Sequence, residues 1–155
     1  MTDKPLWQWG AAEIADAVAG GRLSATDAVQ SAIDRMHETN GAINAVVDDL
    51  SDAALAQAEA HDRTLKQTGP IGPLHGVPVG VKDIFDTVDM PTEDGTILHA
   101  GRRPEEDAAV VTLLREAGAV ILGKTNLSEW ANFRSTRSTS GWSSQGGQTR
   151  NPYAL

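Results

Sequence analysis

An α/β fold is the class this 155-residue sequence predicts. Three observations carry that reading. Alanine-rich helical patterns fill the first part of the chain. A short valine strand follows in the middle. An amphipathic helix then leads into a second apolar run. Helix, strand, helix and strand in that order read as helices packed on a sheet. Hydrophobic residues make up 40% and charged residues 22%, an ordinary balance for one domain with a real core.

The elements follow from local pattern. Ala11 to Ala19 is alanine-rich and meets a stop signal at Gly20-Gly21. Ser24-Ala25-Thr26-Asp27 is a capping-box variant, and Ala28, Val29, Ala32, Ile33 and Met36 fall on one helical face. Asn40-Gly41 predicts the break, and Ala45 to Val47 a short strand. Asp52 to Lys66 predicts a helix ending before Gly69-Pro70. Glycines and prolines crowd Gly69 to Gly80, a tight loop feeding a strand over Val77 to Val81. Asp107 caps a helix whose buried side would be Val110, Val111, Leu113, Leu114 and Ala117. Ala119 to Leu122 reads as a buried parallel strand. From Arg134 to Leu155 the sequence is polar and glycine-rich, and it reads as one long loop. The organisation is therefore a helical segment over about 1–68, an α/β core segment over about 69–133 and a polar loop over 134–155.

Composition excludes several classes. A net charge of −8 argues against nucleic-acid backbones and anionic membranes, which call for a basic patch. There are no cysteines, and four scattered histidines do not make a zinc site. No cofactor or metal is expected. The N-terminus shows no signal peptide, and no apolar run approaches the roughly 18 residues of a membrane helix. These features read as a soluble, cytoplasmic protein.

Gly118 to Thr125, GAVILGKT, fits the phosphate-loop pattern letter for letter. Its context does not fit. The four intervening residues are apolar and two are β-branched, so they favour a buried strand over a cradle of amides. A helix precedes Gly118, where a phosphate loop needs a strand. Lys124 then reads as an ordinary lysine at a strand turn.

The more informative lysine is Lys82, in GPLHGVPVGVKD. Strand alternation places Val77, Val79 and Val81 on one face and Pro78, Gly80 and Lys82 on the other. Lys82 therefore points where its neighbours are small, with Ile84 and Phe85 as apolar cover. Asp83 faces away. A dry lysine has a lowered pKa and can serve as a general base. A surface lysine at a strand end is the alternative from spacing alone.

The blocks GPLHGVPVGVKDIFDT, DAAVVTLLREAGAVILGKTNLSEWANF and SGWSSQGGQTRNPY, in that order, resemble the amidase signature family. SEWANF and GQTRNPY are most similar to the peptide amidase branch. One departure is TEDGT, Thr92 to Thr96, where the family often has an Ala-Gly-Ser run. The resemblance implies the N-terminal part of the amidase fold, a mixed central sheet flanked by helices. It also implies amide hydrolysis by a Ser–Ser–Lys triad, with Lys82 as the base acting through a bridging serine. Trp130 and Asn132, after GKTN, would line the substrate pocket. Gly123-Lys124-Thr125 would be scaffold, and His75 structural.

The family's serines lie in glycine- and serine-rich runs after the NPY block, and neither run occurs here. Ser143-Ser144-Gln145-Gly146-Gly147 has the reverse order and precedes NPY. The expectation is an N-terminal amidase portion that is inactive alone. Its substrate in the complete enzyme would be a small-molecule or peptide amide. Two alternatives stay open. One is a non-catalytic module docking a separate C-terminal half. The other is a component of a tRNA-dependent amidotransferase.

Overall fold

The computed structural model describes residues 4–131 and 140–154. Asn132, Phe133, Arg134 and Arg137 lie outside the described residues. The elements are α1 (Ala11–Ala19), α2 (Ala25–Ile43), β1 (Val46–Asp49), α3 (Ser51–Thr68), β2 (Pro78–Lys82), α4 (Ala109–Glu116), β3 (Val120–Thr125), β4 (Trp142–Ser143) and β5 (Gly147–Gln148). Three strands form a sheet in the order β1-β3-β2, and β4 and β5 form a separate pair. β1 runs antiparallel to β3. Val120 N–H donates to Val77 O and Asp83 N–H to Thr125 O, so β2 runs parallel to β3. The sheet is mixed, and the α/β expectation holds.

The chain divides into two compact units, each drawn from three stretches. The first comprises Met1–His37, Leu50–Val79 and Thr112–Leu122. Its core is built from Ile14 and Val18 of α1, Ala28, Val29 and Ile33 of α2, Ala54 and Ala58 of α3, and Val77, Val120 and Leu122 of the strands. The alanines let the helices approach closely. The N-terminus of α2 would leave amides orphaned. Two side chains take them up. Ser24 Oγ accepts from Asp27 N–H at 2.9 Å. Asp62, on α3, accepts from Ala25 N–H at 2.7 Å, Thr26 N–H at 3.1 Å and Thr26 Oγ1–H at 2.6 Å. The loop before β2 is braced as well. Leu74 N–H donates to Ala117 O and Gly76 N–H to Gly118 O. His75 Nδ1 accepts from Ile71 N–H, and the buried His75 ring stacks on His61 at 4.8 Å. His75 is structural, as its turn sequence implies.

The second unit comprises Glu38–Asp49, Gly80–Val111 and Gly123–Leu155. Here Asn40 does not break α2. Its Oδ1 accepts from Ala45 N–H and Val46 N–H at 2.8 Å, and its Nδ2 donates to Val46 O at 2.9 Å. The helix therefore runs on to Ile43 and ends where Asn44 takes φ 57°. β1 starts one residue later than expected and extends to Asp49.

Three further expectations are corrected. β3 does not stop at Leu122 but continues through Gly123-Lys124-Thr125. A Cβ at Gly123 would overlap Asp48 O, so only glycine lets β1 and β3 approach there. Val111 is the buried residue of α4, while Val110 and Leu113 are exposed. Asp107 lies just ahead of α4, as expected of it, and its carboxylate also accepts from Val88 N–H. Finally, the polar tail is not all loop. Residues 142–148 form the β4–β5 hairpin, held by Asn44 Nδ2 donating to Gly146 O and Thr149 Oγ1 donating to Asn44 O.

Burial pushes the Asp62 carboxyl up, but its bonds to Thr26 and Ala25 outweigh that and hold it below the ordinary 3.8. Folded Asp62 thus binds its proton less tightly than the unfolded chain does. Its contribution is complete above the ordinary value and is lost as pH falls through the lower folded one. Asp62→Ala is expected to cost about 1–2 kcal/mol in urea unfolding at neutral pH. The difference between the two proteins should shrink below pH 3.8. An equal stability at neutral pH would contradict the capping role.

Candidate active site

The site is built at the C-terminal end of β2. Val81 is buried and Lys82, next in the strand, is exposed. Asp83 follows and is fully buried. This is the alternation a strand imposes, and Lys82 and Asp83 point to opposite sides as expected. Gly80 leaves room for Thr125 of β3. A Cβ there would lie 2.9 Å from Thr125 Cγ2.

Lys82 does not have the dry surroundings expected of it. Its side chain is exposed, and Phe85, expected as cover, is itself 41% exposed. Among the described residues, then, the amine meets solvent.

The lysine that is dry is Lys124. It is 0% exposed. Its Nζ donates to Thr92 Oγ1 at 2.7 Å, Phe85 O at 2.9 Å and Asp83 Oδ1 at 3.2 Å. An ammonium has three N–H donors, and three acceptors meet them. Asp83 in turn accepts from Glu93 N–H at 3.2 Å and 3.3 Å. Its own N–H donates to Thr125 O and its carbonyl accepts from Asp94 N–H. So one pair joins β3, the end of β2, the turn at Phe85 and the Thr92–Glu93 segment. TEDGT, the departure from the family pattern, supplies three of these groups: Thr92 Oγ1, Glu93 N–H and Asp94 N–H.

The electrostatics follow from burial. It pushes the Asp83 carboxyl up, against the pull of the Glu93 amide and Lys124. It pushes the Lys124 amine down, against the pull of Asp83. Asp48 lies opposite Lys124 in the β1–β3 register. Its carboxyl is raised by burial first and then by Glu93 and Asp83, and its Oδ2 is buried without a hydrogen-bond partner. Lys124 and then Arg103 pull the Asp48 carboxyl the other way.

The expectation of an ordinary turn lysine at Lys124 is therefore corrected. The signal that finds it is alternation. Carried past Leu122, the β3 pattern puts Lys124 in line with Val120 and Leu122, both in the core. The same rule carries Asp83 inward after Val81. Trp130 is 43% exposed, at φ 55° and ψ 35°, with its N–H on Asp94 O at 3.1 Å. Its predicted companion Asn132 is outside the described residues. Ser143 and Ser144 hold structure. Ser143 Oγ donates to Asn126 Oδ1 and accepts from Gly146 N–H, and Ser144 Oγ accepts from Ile97 N–H.

Comparison with known proteins bears on this arrangement. The Amidase family model matches residues 27–155. The chain is 44% identical over 148 residues to a glutamyl-tRNA(Gln) amidotransferase subunit from Thermobifida fusca, covering 96% of this chain and 29% of that protein. It is 39% identical over 127 residues to an indoleacetamide hydrolase of Bradyrhizobium diazoefficiens, covering 82% and 24%. The crystal structure of peptide amidase from Stenotrophomonas maltophilia matches with a TM-score of 0.87 and 42% identity, covering 96% of this chain and 31% of that one. The chain thus spans less than a third of the length of these relatives.

Lys124→Met removes the charge and keeps most of the volume. It leaves Asp83 buried and unpaired, and is expected to destabilise the chain by about 3–5 kcal/mol. Adding Asp83→Asn should recover part of that loss. Urea denaturation of the two variants checks this, and a Lys124→Met cost within the noise of a surface substitution would contradict the buried pair.

Proposed function

Because this chain belongs to the amidase family, we propose that it carries the general-base side of a Ser–Ser–Lys amide hydrolase site, with Lys82 as the base. The observation that carries the reading is the placement of Lys82. It stands at the end of a strand whose next residue, Asp83, is locked by Lys124. A base that must reach one hydroxyl needs a fixed backbone, and this pair supplies it.

The chemistry has two requirements. The amine must be neutral to accept a proton, and the hydroxyl it serves must be within hydrogen-bond reach. These residues alone supply neither a dry surrounding nor the hydroxyl. Lys82 is exposed, and the sequence contains no Gly-Gly-Ser-Ser run. The serines and the surface that dries the amine come from another part of the enzyme, whether covalently continuous or docked. With both serines absent, the 155 residues by themselves do not turn over amides. Trp130 and Asn132 are the substrate contacts in this reading, and the substrate is a small-molecule or peptide amide. The cytoplasm is the proposed location.

A second reading has an observation behind it. Identity to the amidotransferase protein is 44%, against 42% to peptide amidase, so similarity alone does not separate them. The net charge of −8 argues against tRNA contact through these residues, and simple amide hydrolysis is the function we favour.

Two assays test the proposal. In an enzyme that contains these residues together with the serine runs, Lys82→Ala should lower kcat by several orders of magnitude, with unchanged circular dichroism. Near-normal turnover would remove Lys82 from the mechanism. The 155-residue chain alone should show no release of ammonia from an amino-acid amide, and measurable turnover would contradict the division of labour.

A further inference from the structure

Four residues other than glycine have positive φ among the described residues, and three of them meet in one place: Asp94 at 54°, Trp130 at 55° and Ala131 at 61°. Gly95 adds a fourth left-handed residue beside them, at 68°. A bulky aromatic residue rarely adopts this backbone, and strain of this kind persists only where surrounding contacts enforce it. Burial of the indole does not offset the cost, because Trp130 is 43% exposed. The enforcing contacts are polar. Trp130 N–H donates to Asp94 O at 3.1 Å. Asp94 Oδ2 meets His99 Nδ1 at 2.9 Å. The His99 and Trp130 rings then pack in a T-shaped pair, at 4.9 Å between centroids and 80° between planes. The segment carrying His99 is tied down in turn, through Ile97 N–H on Ser144 Oγ, while Ser144 N–H donates to Glu129 Oε2 just before the tryptophan.

Asp94 works in two directions. Its N–H donates to the carbonyl of Asp83, the residue after Lys82, and its carbonyl holds Trp130. Two backbone bonds on one residue thus set the indole in register with the end of β2. Ile97 and Leu98, beside His99, are 63% and 79% exposed. The result is a part-exposed indole held at a steep angle to the His99 ring.

We propose that Asp94 and His99 are positioning residues for Trp130, which they hold as a stacking platform for a planar, aromatic group of the amide substrate. The proposal rests on the reading of Lys82 as the base only for the word substrate. The platform itself is a binding property and is tested without turnover. An indole face recognises planar groups by offset stacking and area burial, and it does so best when it is immobilised beforehand.

The test follows the four indole N–H resonances by NMR, with Trp130 assigned by its loss in Trp130→Phe, while phenylacetamide is titrated into the chain. The Trp130 signal should shift, and the signals of Trp7 and Trp9 should not. Asp94→Asn keeps a residue that tolerates left-handed backbone and removes the charge. His99→Phe keeps an aromatic edge and removes the bond to Asp94. Each should weaken phenylacetamide binding by about 2- to 10-fold, the range an oriented aromatic contact commands, with Trp7 and Trp9 marking an intact fold. A Trp130 signal that ignores phenylacetamide overturns the platform. Unchanged affinity in both variants overturns the positioning role. An equal response to hexanamide overturns the preference for a planar group. Lys82→Ala should leave this binding intact, so a failure of the base assignment would show in turnover and not here.

Discussion

A buried amine with no access to water organises this end of the chain. Lys124 can be buried only because Asp83, Phe85 O and Thr92 meet all three of its donors. Such a pair adds little net stability over an apolar core, since both charges lose their hydration. Its effect is on specificity. Ammonium geometry admits few arrangements, so β3, the end of β2 and the Thr92 segment are held in one register. Lys82 inherits that register through a single peptide bond. The nearby Asp48 carboxyl makes the requirement stricter, because Lys124 is first among the cations that offset it.

Two lysines divide the work by strand parity. Lys124 continues an inward alternation and serves structure. Lys82 falls on the opposite parity from Asp83, stays exposed and is free to serve chemistry. The proposed base needs a dry surrounding that these residues do not supply, whereas Lys124 has one already. A base that is dried only by a second surface would be switched on by assembly of the site. That order of events fits a mechanism in which lysine and serines come from different stretches.

Much of the fold is legible in the pattern of residues. α1 matches to the residue because alanine periodicity meets paired glycines. β2 and β3 are legible because valine and isoleucine runs sit between strong turn signals. The differences have local causes. Asn40 has the letters of a breaker, but its side chain is spent on clamping Ala45 and Val46, which a sequence does not display. The β4–β5 hairpin carries too little apolar pattern to announce itself and is held by Asn44, about a hundred residues away. Lys124 sits inside a failed phosphate-loop match, and that motif masks the strand parity that buries it. The family match places the chain among the amidases. It does not reveal the Asp83–Lys124 pair, nor the strained contact between Asp94 and Trp130.

Three acceptors surround Lys124 Nζ in the folded chain, the number a protonated ammonium needs, and the register of the site turns on that arrangement. Nitrogen-15 labelling of lysine tests it directly, through side-chain N–H correlations at neutral pH. Exposed lysine ammonium protons exchange with water too fast to be seen, and a buried, bonded one is slowed. The expected result is a protected ammonium signal that disappears in Lys124→Met and survives in Lys82→Ala. Absence of a protected signal, or its assignment to Lys82, would contradict it.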